Sequence, residues 1–361
     1  MGALYLLDVD DGSIFKKFAT GAGSTGDPNG LSTPAPVDID GDNIVDYIYA
    51  GDLHGNLWKF DVTSTNVNQW GPIKQGNSPV PLYSDQYEDT STNPSTFTRQ
   101  PITTRPEVAY HPTESGLMVY FGTGKYFETG DNSATSQGVQ SLYGIWDKED
   151  NQAVEIERAH LKQQIIKAEV EVNSSWYRLI TGVAINWHTG NGLPNGSNPS
   201  TQVGWHMDLI DPDTDKHEGE RVVSQAFLRN DRIIFTTLIP SSAACEFGGD
   251  GWIMELAYGT GGRLDESPFD VDKDGDFDAD DEITPDPTTQ FDDDEDGNTD
   301  ANAPMPAGGI KPGEGIPTTP GVLATEGEEV KYISTSSGTI QTFDENAADN
   351  DSGRQSWRQL D

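Results

Sequence analysis

An acidic stretch near the start of the chain has the spacing of a calcium-binding loop. The candidate ligands at its positions 1, 3, 5, 7 and 9 are Asp38, Asp40, Asp42, Ile44 and Asp46. A chain that curls around Ca²⁺ presents alternate residues inward, and the carbonyl at position 7 supplies a further oxygen. Gly41 and Asn43 tolerate the left-handed backbone that such a curl needs. Because the four carboxylates repel one another without a cation, we predict a calcium site here rather than a solvated acidic turn.

A second stretch follows the twelve-residue calcium-loop pattern. Its candidate ligands at positions 1, 3, 5, 7, 9 and 12 are Asp270, Asp272, Asp274, Asp276, Asp278 and Asp281. Gly275 occupies position 6, where the pattern requires a sharp turn, but the shorter Asp281 stands where a bidentate Glu is usual. We predict a second calcium site, with a solvated acidic loop as the alternative.

A third stretch repeats the spacing less completely. Its candidate ligands are Asp292, Asp294, Asp296, Asn298 and Asp300, with Gly297 at position 6. Position 12 is Ala303, so one ligand is missing. A disordered acidic tract competes here with the prediction of a third calcium site.

Residues that could carry catalysis are few. Cys245 is the single cysteine, which excludes an intrachain disulfide and a cysteine zinc cluster. The six histidines show no metal-binding spacing, and no Gly-x-Ser-x-Gly nucleophile elbow is present. The Gly-Thr-Gly at 122–124 lacks the third glycine of a dinucleotide fingerprint and is predicted to be a turn. We therefore predict a protein that is not an enzyme.

The charge balance excludes several classes of partner. The chain has 60 Asp and Glu against 22 Lys and Arg, a net charge of −38. Nucleic-acid recognition needs a basic surface, and an anionic membrane would repel this chain. No apolar run approaches the roughly 18 residues of a membrane span.

The elements that must position these loops are predicted to be short strands with Gly-rich turns. A hairpin is expected over 47–61, and four weakly similar segments favour propeller blades over a single sandwich. Residues 151–164 alone have helical character, and 63–96 are predicted to be a surface loop. The predicted strands are 3–8, 13–18, 45–50, 57–62, 117–122, 140–146, 176–180, 204–209, 221–227, 232–237, 252–257, 330–334 and 339–343.

Composition divides the chain into three parts. Residues 265–302 hold 14 Asp, 3 Glu and one Lys, and 303–320 follow with five Pro and four Gly. We predict propeller blades over 1–264, an acidic calcium-binding insertion with a Pro/Gly linker over 265–320, and last propeller strands with a C-terminal tail over 321–361.

The chain resembles the PilY-type proteins of type IV pili. The most specific part is Tyr-Ile-Tyr-Ala-Gly-Asp-Leu-His-Gly-Asn-Leu-Trp-Lys-Phe-Asp at 47–61, preceded by the acidic loop. Weaker matches follow in the same order at 101–106, 121–126, 142–147, 204–209, 219–223, 245–252 and 356–360. The resemblance leaves out 265–320.

This resemblance implies a modified β-propeller of the quinoprotein-like type, which the chain contains wholly or in part. It implies an exported, pilus-associated cell-surface protein that acts in pilus biogenesis, adhesion and twitching motility. Its partners would be pilus components such as minor pilins, and host or abiotic surfaces. The family's calcium loop, which governs pilus extension against retraction, maps onto Asp38, Asp40, Asp42 and Asp46. We expect the chain to be part of a longer protein that carries the signal peptide and an N-terminal region.

Two alternatives remain open at this point. One is a quinoprotein-like dehydrogenase, because the propeller type is shared, although Phe15 or Phe18 stands where a blade-closing Trp is expected. The other is a surface protein stiffened by calcium that has no role in pili.

Overall fold

Short antiparallel strands make up the regular structure of the chain. The computed structural model describes residues 2–84, 86–90, 94–149, 155–196, 199–214, 217–243, 247–286, 303–324 and 328–347. The strands in chain order are β1 Ala3–Leu7, β2 Ile14–Ala19, β3 Ala35–Val37, β4 Tyr47–Gly51, β5 Leu57–Asp61, β6 Gly71–Pro72, β7 Lys74–Gln75, β8 Ser78–Pro79, β9 Tyr87–Asp89, β10 Thr96–Thr98, β11 Glu107–Tyr110, β12 Leu117–Gly122, β13 Ser141–Asp147, β14 Lys162–Gln164, β15 Ile166–Val172, β16 Ser175–Ile180, β17 Gly204–Asp208, β18 Phe227–Arg229, β19 Arg232–Thr236, β20 Ile239–Pro240, β21 Gly249–Asp250, β22 Ile253–Ala257, β23 Gly309–Ile310, β24 Gly321–Ala324, β25 Glu328–Ser334 and β26 Ile340–Asn346. Single 3₁₀ turns occur at Val67–Gln69, Arg158–His160 and Ala279–Asp281.

Strands that follow one another in sequence pair into successive sheets. The larger sheets have the strand orders β3-β4-β5-β6, β11-β12-β13-β17-β14, β15-β16-β23-β22-β19-β18 and β24-β25-β26. Smaller sheets pair β1 with β2, β7 with β8, β9 with β10 and β20 with β21. The pairing between these strands is antiparallel except between β14 and β17. The predicted all-β class is confirmed within the described residues.

The β4–β5 hairpin is held by one buried carboxylate. Asp52 is fully buried and accepts hydrogen bonds from the side chains of Asn29, Asn56 and Trp58 at 2.7–2.8 Å. It also accepts the backbone N–H groups of His54 and Asn56. A buried carboxylate with this many donors is well satisfied, and in the Gly-Asp-Leu-His-Gly-Asn-Leu-Trp motif it closes the turn.

A buried ion pair joins this hairpin to the next sheet. Lys59 on β5 lies 2.6 Å from Asp147 at the end of β13, and both side chains are almost completely buried. The hydroxyl of Tyr49 donates to the same carboxylate at 2.6 Å. The apolar cluster around this pair runs from β3 to β22 and contains side chains of the three largest sheets.

Three local predictions need correction. Helix over 151–164 is wrong for the described part, where Arg158–His160 form a 3₁₀ turn and β14 pairs with β17. The 63–96 segment is not wholly a surface loop, because β6 pairs with β5 and Tyr83 is buried against Phe121 and Tyr143. The strand predicted over 221–227 begins only at Phe227. In the first two cases contacts with distant strands override local propensity. In the third, the backbone N–H groups of Arg221 and Val222 donate instead to Leu238 and Thr123.

The segment 265–320 is built into the fold rather than appended to it. Gly309–Ile310 form β23, which lies between β16 and β22 inside a sheet. Phe269, Val271, Ile283 and Met305 are buried in a second apolar cluster with residues of β15, β16 and β25. The linker interpretation is therefore wrong around β23, and 1–264 lacks a central strand of its own sheet.

Candidate metal centre

The loop between β3 and β4 brings three predicted ligands together. One carboxylate oxygen from each of Asp38, Asp40 and Asp42 lies within 4.8 Å of the other two. Oxygens that bind one Ca²⁺ at about 2.3–2.6 Å are at most about 5 Å apart, so this spread suits a common coordination shell. Because register pairs Val37 with Tyr47, the strand ends hold the loop closed.

Carboxylate to N–H hydrogen bonds shape this loop from within. Asp38 accepts the N–H groups of Gly41 and Asn43, both at 2.8 Å. Asp40 accepts the N–H of Asp42 at 3.2 Å, and Asp42 accepts the position-7 N–H at 2.7 Å. Gly41 and Asn43 have φ values of 78° and 69°, the left-handed conformations that their residue types predict. The N–H groups point inward and align the carboxylates.

Asp46 and Tyr110 contact the peptide groups of Ile39. Asp46 accepts the Ile39 N–H at 2.8 Å, and the Tyr110 hydroxyl donates to the Ile39 carbonyl at 2.6 Å. Asp46 is not part of the group of three carboxylates whose oxygens lie within 4.8 Å of one another, and in this geometry it shapes the loop through the Ile39 N–H. Partial desolvation, followed by the negative charge of Asp38 and then of Glu149, raises the pKa of Tyr110.

An acidic side chain that follows β13 interacts electrostatically with Asp46 at the end of the loop. Glu149 follows β13, and its Oε1 is buried with no hydrogen-bond partner among the described residues. Burial, and then the charge of Asp147, raises the pKa of Glu149; Asp46 adds to this, and Lys59 opposes it. A nearby cation would reduce the cost of keeping this carboxylate ionised.

The second loop has the same internal hydrogen bonds as the first. Asp270 accepts the N–H groups of positions 4 and 6, which are Lys273 at 2.6 Å and Gly275 at 3.1 Å. Asp272 accepts the position-5 N–H at 3.1 Å, and Asp274 accepts the position-7 N–H at 2.9 Å. Lys273 and Gly275 have φ values of 67° and 89°. The first three carboxylates again have ligand oxygens within 4.8 Å of one another.

The two loops differ in their last carboxylates. Asp281 is buried and accepts the N–H of Val271 at 2.6 Å, as Asp46 does for the corresponding residue in the first loop. Asp278 accepts the N–H of Asp280 and caps the 3₁₀ turn, so it lies outside the group of three. Partial desolvation and then the neighbouring carboxylates, Asp274 first, raise the pKa of Asp272.

The third predicted calcium loop and the single cysteine lie outside the described residues. Asp292, Asp294, Asp296, Asn298 and Asp300 lie outside the described residues, as does Cys245. Elsewhere in the described chain, no further group of three His, Cys, Asp or Glu side chains has metal-binding proximity. Sequence reasoning missed Tyr110 and Glu149, since nothing in the local sequence of either residue indicates the loop.

The donor set of both loops suits calcium. Carboxylate oxygens are hard ligands that Ca²⁺ prefers, and the left-handed residues at positions 4 and 6 curl the chain around a shared centre. The repulsion within each group of three carboxylates would be relieved by a divalent cation. Calcium binding itself stays a prediction.

Sequence comparisons match pilus proteins. The family described as PilY1 beta-propeller domain matches residues 1–176. The type IV pilus biogenesis factor PilY1 of Pseudomonas aeruginosa strain PAO1 is 32% identical over 292 residues, which cover 77% of this chain and 24% of that protein. A PilY1 homolog of Xylella fastidiosa strain Temecula1 is 34% identical over 270 residues, covering 72% of this chain and 17% of its own length. The chain thus spans about a quarter or less of these relatives.

Structural comparison extends the similarity over nearly the whole chain. The crystal structure of the Pseudomonas aeruginosa PilY1 C-terminal domain matches with a TM-score of 0.71 and 26% identity, covering 96% of this chain and 67% of that one. Among the described residues, no helix is both long enough and apolar enough to cross a bilayer. The predicted resemblance and the propeller fold class are confirmed: the chain belongs to the PilY-type family and is a C-terminal region containing the family's β-propeller.

Proposed function

We propose that this chain is a calcium-binding, non-enzymatic propeller module of a type IV pilus-associated protein. Its protein would act in pilus biogenesis, twitching motility and surface adhesion, with pilus components such as minor pilins as partners. The observation that carries the proposal is the β3–β4 loop, in which Asp38, Asp40 and Asp42 converge in a chain similar to type IV pilus biogenesis factors.

The calcium ligands in this proposal come from backbone and side-chain oxygens of the two described loops. In the first loop, Asp38, Asp40 and Asp42 supply carboxylate oxygens and Ile44 a carbonyl oxygen. Asp46 supplies a further carboxylate oxygen or a water-bridged contact, and its hydrogen bond from the Ile39 N–H orders the loop. In the second loop, Asp270, Asp272, Asp274, Asp278 and Asp281 supply carboxylate oxygens and Asp276 a carbonyl oxygen. Asp281 also orders the loop through the Val271 N–H. The third acidic stretch, 292–300, is a weaker candidate because its position-12 ligand is missing.

Calcium supplies positive charge that neutralises each group of carboxylates; the chain supplies the connection to the fold. Asp46 leads directly into β4, whose five residues are all buried. Ordering of the first loop therefore fixes the start of a core strand. Extracellular calcium modules bind Ca²⁺ with dissociation constants of roughly 10⁻⁴–10⁻³ M. Loops of this kind therefore suit the high calcium concentration outside cells, which supports export to the cell surface. Fractionation that finds the full-length protein only in the cytoplasm would contradict this placement.

The test is a pair of substitutions at position 5 of the first loop, made in the full chain because 1–264 lacks β23. Asp42→Ala removes a ligand and a charge and should abolish calcium binding at this loop, whereas Asp42→Asn keeps an oxygen and should only weaken it. Asp8→Ala is the matched control: Asp8 is an exposed aspartate that accepts a turn N–H outside both loops. Calorimetry measures binding, and surface piliation and twitching are scored in cells that make each variant.

The outcomes separate the metal from the regulatory role. Unchanged calcium binding by Asp42→Ala would remove the metal assignment. Normal piliation and twitching despite confirmed loss of calcium would leave a structural site. For the non-enzymatic part, a redox-dye assay with added quinone and calcium should show no turnover, and turnover would overturn it.

A further inference from the structure

In the first loop, the peptide groups on either side of Ile39 are held from two directions. This residue lies between the ligand positions Asp38 and Asp40. Its N–H donates to Asp46 at 2.8 Å, and its carbonyl accepts the Tyr110 hydroxyl at 2.6 Å. The backbone between the first two ligands is thereby fixed by one group from the loop and one from outside it.

The second loop has the same arrangement with different residues. The N–H of Val271, between the first two ligand positions, donates to Asp281 at 2.6 Å. Its carbonyl accepts Nδ2 of Asn173 at 3.1 Å. Lys273 of the loop donates back to the carbonyl of Asn173 at 2.8 Å. In both loops, therefore, the carbonyl at position 2 accepts a hydrogen bond from a side chain that lies outside the loop, although the sequences around the two loops differ.

The outside donors belong to other hairpins. Tyr110 ends β11, and Asn173 lies in the turn between β15 and β16. They are separated from their acceptors by 71 and 98 residues. Each loop is thus tied to a strand pair that contains none of its ligands.

We propose that Tyr110 and Asn173 are positioning residues that set the calcium affinity of the first and second loop, respectively. This inference rests on the proposed function. The apparent calcium affinity of a loop falls in proportion to the fraction of molecules in which the loop has its binding conformation. The hydrogen bond from Tyr110 or Asn173 raises this fraction. Calcium must in turn stabilise the same contact, because coupling between two equilibria is reciprocal. Calcium therefore also ties each loop to its neighbouring hairpin.

The experiment is amide hydrogen exchange of the full chain as a function of free calcium, because it reports each loop separately. Tyr110→Phe removes only the hydroxyl and keeps the ring. Asn173→Gly removes the amide and suits the φ of 50° at this position. Tyr332→Phe is the control, since Tyr332 is exposed to a similar extent, 44% against 49%, on the C-terminal sheet.

Loop-specific shifts are expected. Tyr110→Phe should raise the calcium midpoint for protection of 38–46 about fivefold, the ratio that one net hydrogen bond corresponds to, and leave 270–281 unchanged. Asn173→Gly should do the reverse, and Tyr332→Phe should move neither. In the unsubstituted chain calcium should also slow exchange in 107–110, and Tyr110→Phe should abolish this effect.

Contrary results have distinct meanings. Unmoved midpoints in Tyr110→Phe and Asn173→Gly, with normal calcium protection in the unsubstituted chain, would overturn this inference alone. Equal shifts of both loops in either variant would also overturn it, because they indicate general destabilisation. No calcium protection in the unsubstituted chain would refute the proposed function, and this inference with it.

Discussion

A buried histidine should make the fold sensitive to acid. His206 lies on β17, stacked 6.0 Å from the ring of Tyr143, and its Nδ1 is buried without a hydrogen-bond partner among the described residues. Burial, and then the positive charge of Arg158, lowers the pKa of His206 to about 3; the nearby Asp208 partly opposes this. Arg158 forms a bidentate pair with Asp208 at 2.8–2.9 Å, so its charge is fixed close to the ring.

The size of the effect follows from the two pKa values. An unfolded histidine has a pKa of about 6.5, so above this pH both states are neutral and His206 costs nothing. As pH falls below it, the unfolded state takes up a proton that the folded state refuses. The free energy of unfolding therefore drops by about 2 kcal/mol at pH 5 and by roughly 4 kcal/mol near pH 3, with a slope of about 1.4 kcal/mol per pH unit between the two pKa values.

The perturbation is replacement of the titrating ring by neutral side chains. His206→Phe keeps an aromatic ring against Tyr143, and His206→Gln keeps a polar group of similar reach. Urea unfolding at pH 7.5 and pH 5, in the same excess of calcium, gives the free energy of unfolding for each protein. Both variants should gain about 2 kcal/mol relative to the unsubstituted chain on going to pH 5.

The pH-dependent change in the free energy of unfolding is compared between each variant and the unsubstituted chain. Contributions from titrating groups that the proteins share, including those of the acidic loops, cancel in this comparison. A change in packing shifts a variant's free energy of unfolding equally at both pH values, whereas loss of the titrating ring changes its dependence on pH. Parallel pH dependences for all three proteins would refute the assignment of a depressed pKa to His206.

Two further predictions concern buried charges. Burial, and then the charge of Glu255, raises the pKa of Glu345, although Lys331 lies beside both carboxylates. The stability that protonated Glu345 contributes is full below about pH 4.5 and is lost as pH rises through its folded pKa, so Glu345→Gln should gain stability relative to the unsubstituted chain between pH 5 and pH 9. A difference in the free energy of unfolding in urea that does not change with pH would contradict this prediction. Lys59→Met leaves Asp147 buried without its cation and should cost roughly 3 kcal/mol or more. Lys59→Met combined with Asp147→Asn, which removes the charge but keeps an acceptor for the Tyr49 hydroxyl, should recover most of it; equal melting temperatures for the single variant and the unsubstituted chain would show that the pair contributes nothing.

Local sequence determined several of the longer strands and the inner geometry of the loops. The β4–β5 hairpin follows from adjacent apolar stretches around a Gly-rich turn, and its strands pair as expected. In both described loops the shaping hydrogen bonds join residues two to ten positions apart, from Asp38 with Asn43 to Val271 with Asp281. Contacts of this range depend on residue type and spacing, which are readable without a fold.

Tertiary structure alone decided which distant groups complete the sites. The approach of Tyr110 to the first loop, of Asn173 to the second and of Arg158 to His206 joins residues tens of positions apart. The insertion of Gly309–Ile310 between β16 and β22 likewise contradicts a composition that reads as linker. Such contacts arise because strands that are distant in sequence join one sheet, and side chains are buried where packing and hydrogen bonding are best satisfied. Neither the joining of distant strands nor this burial can be recognised from the local spacing of residues.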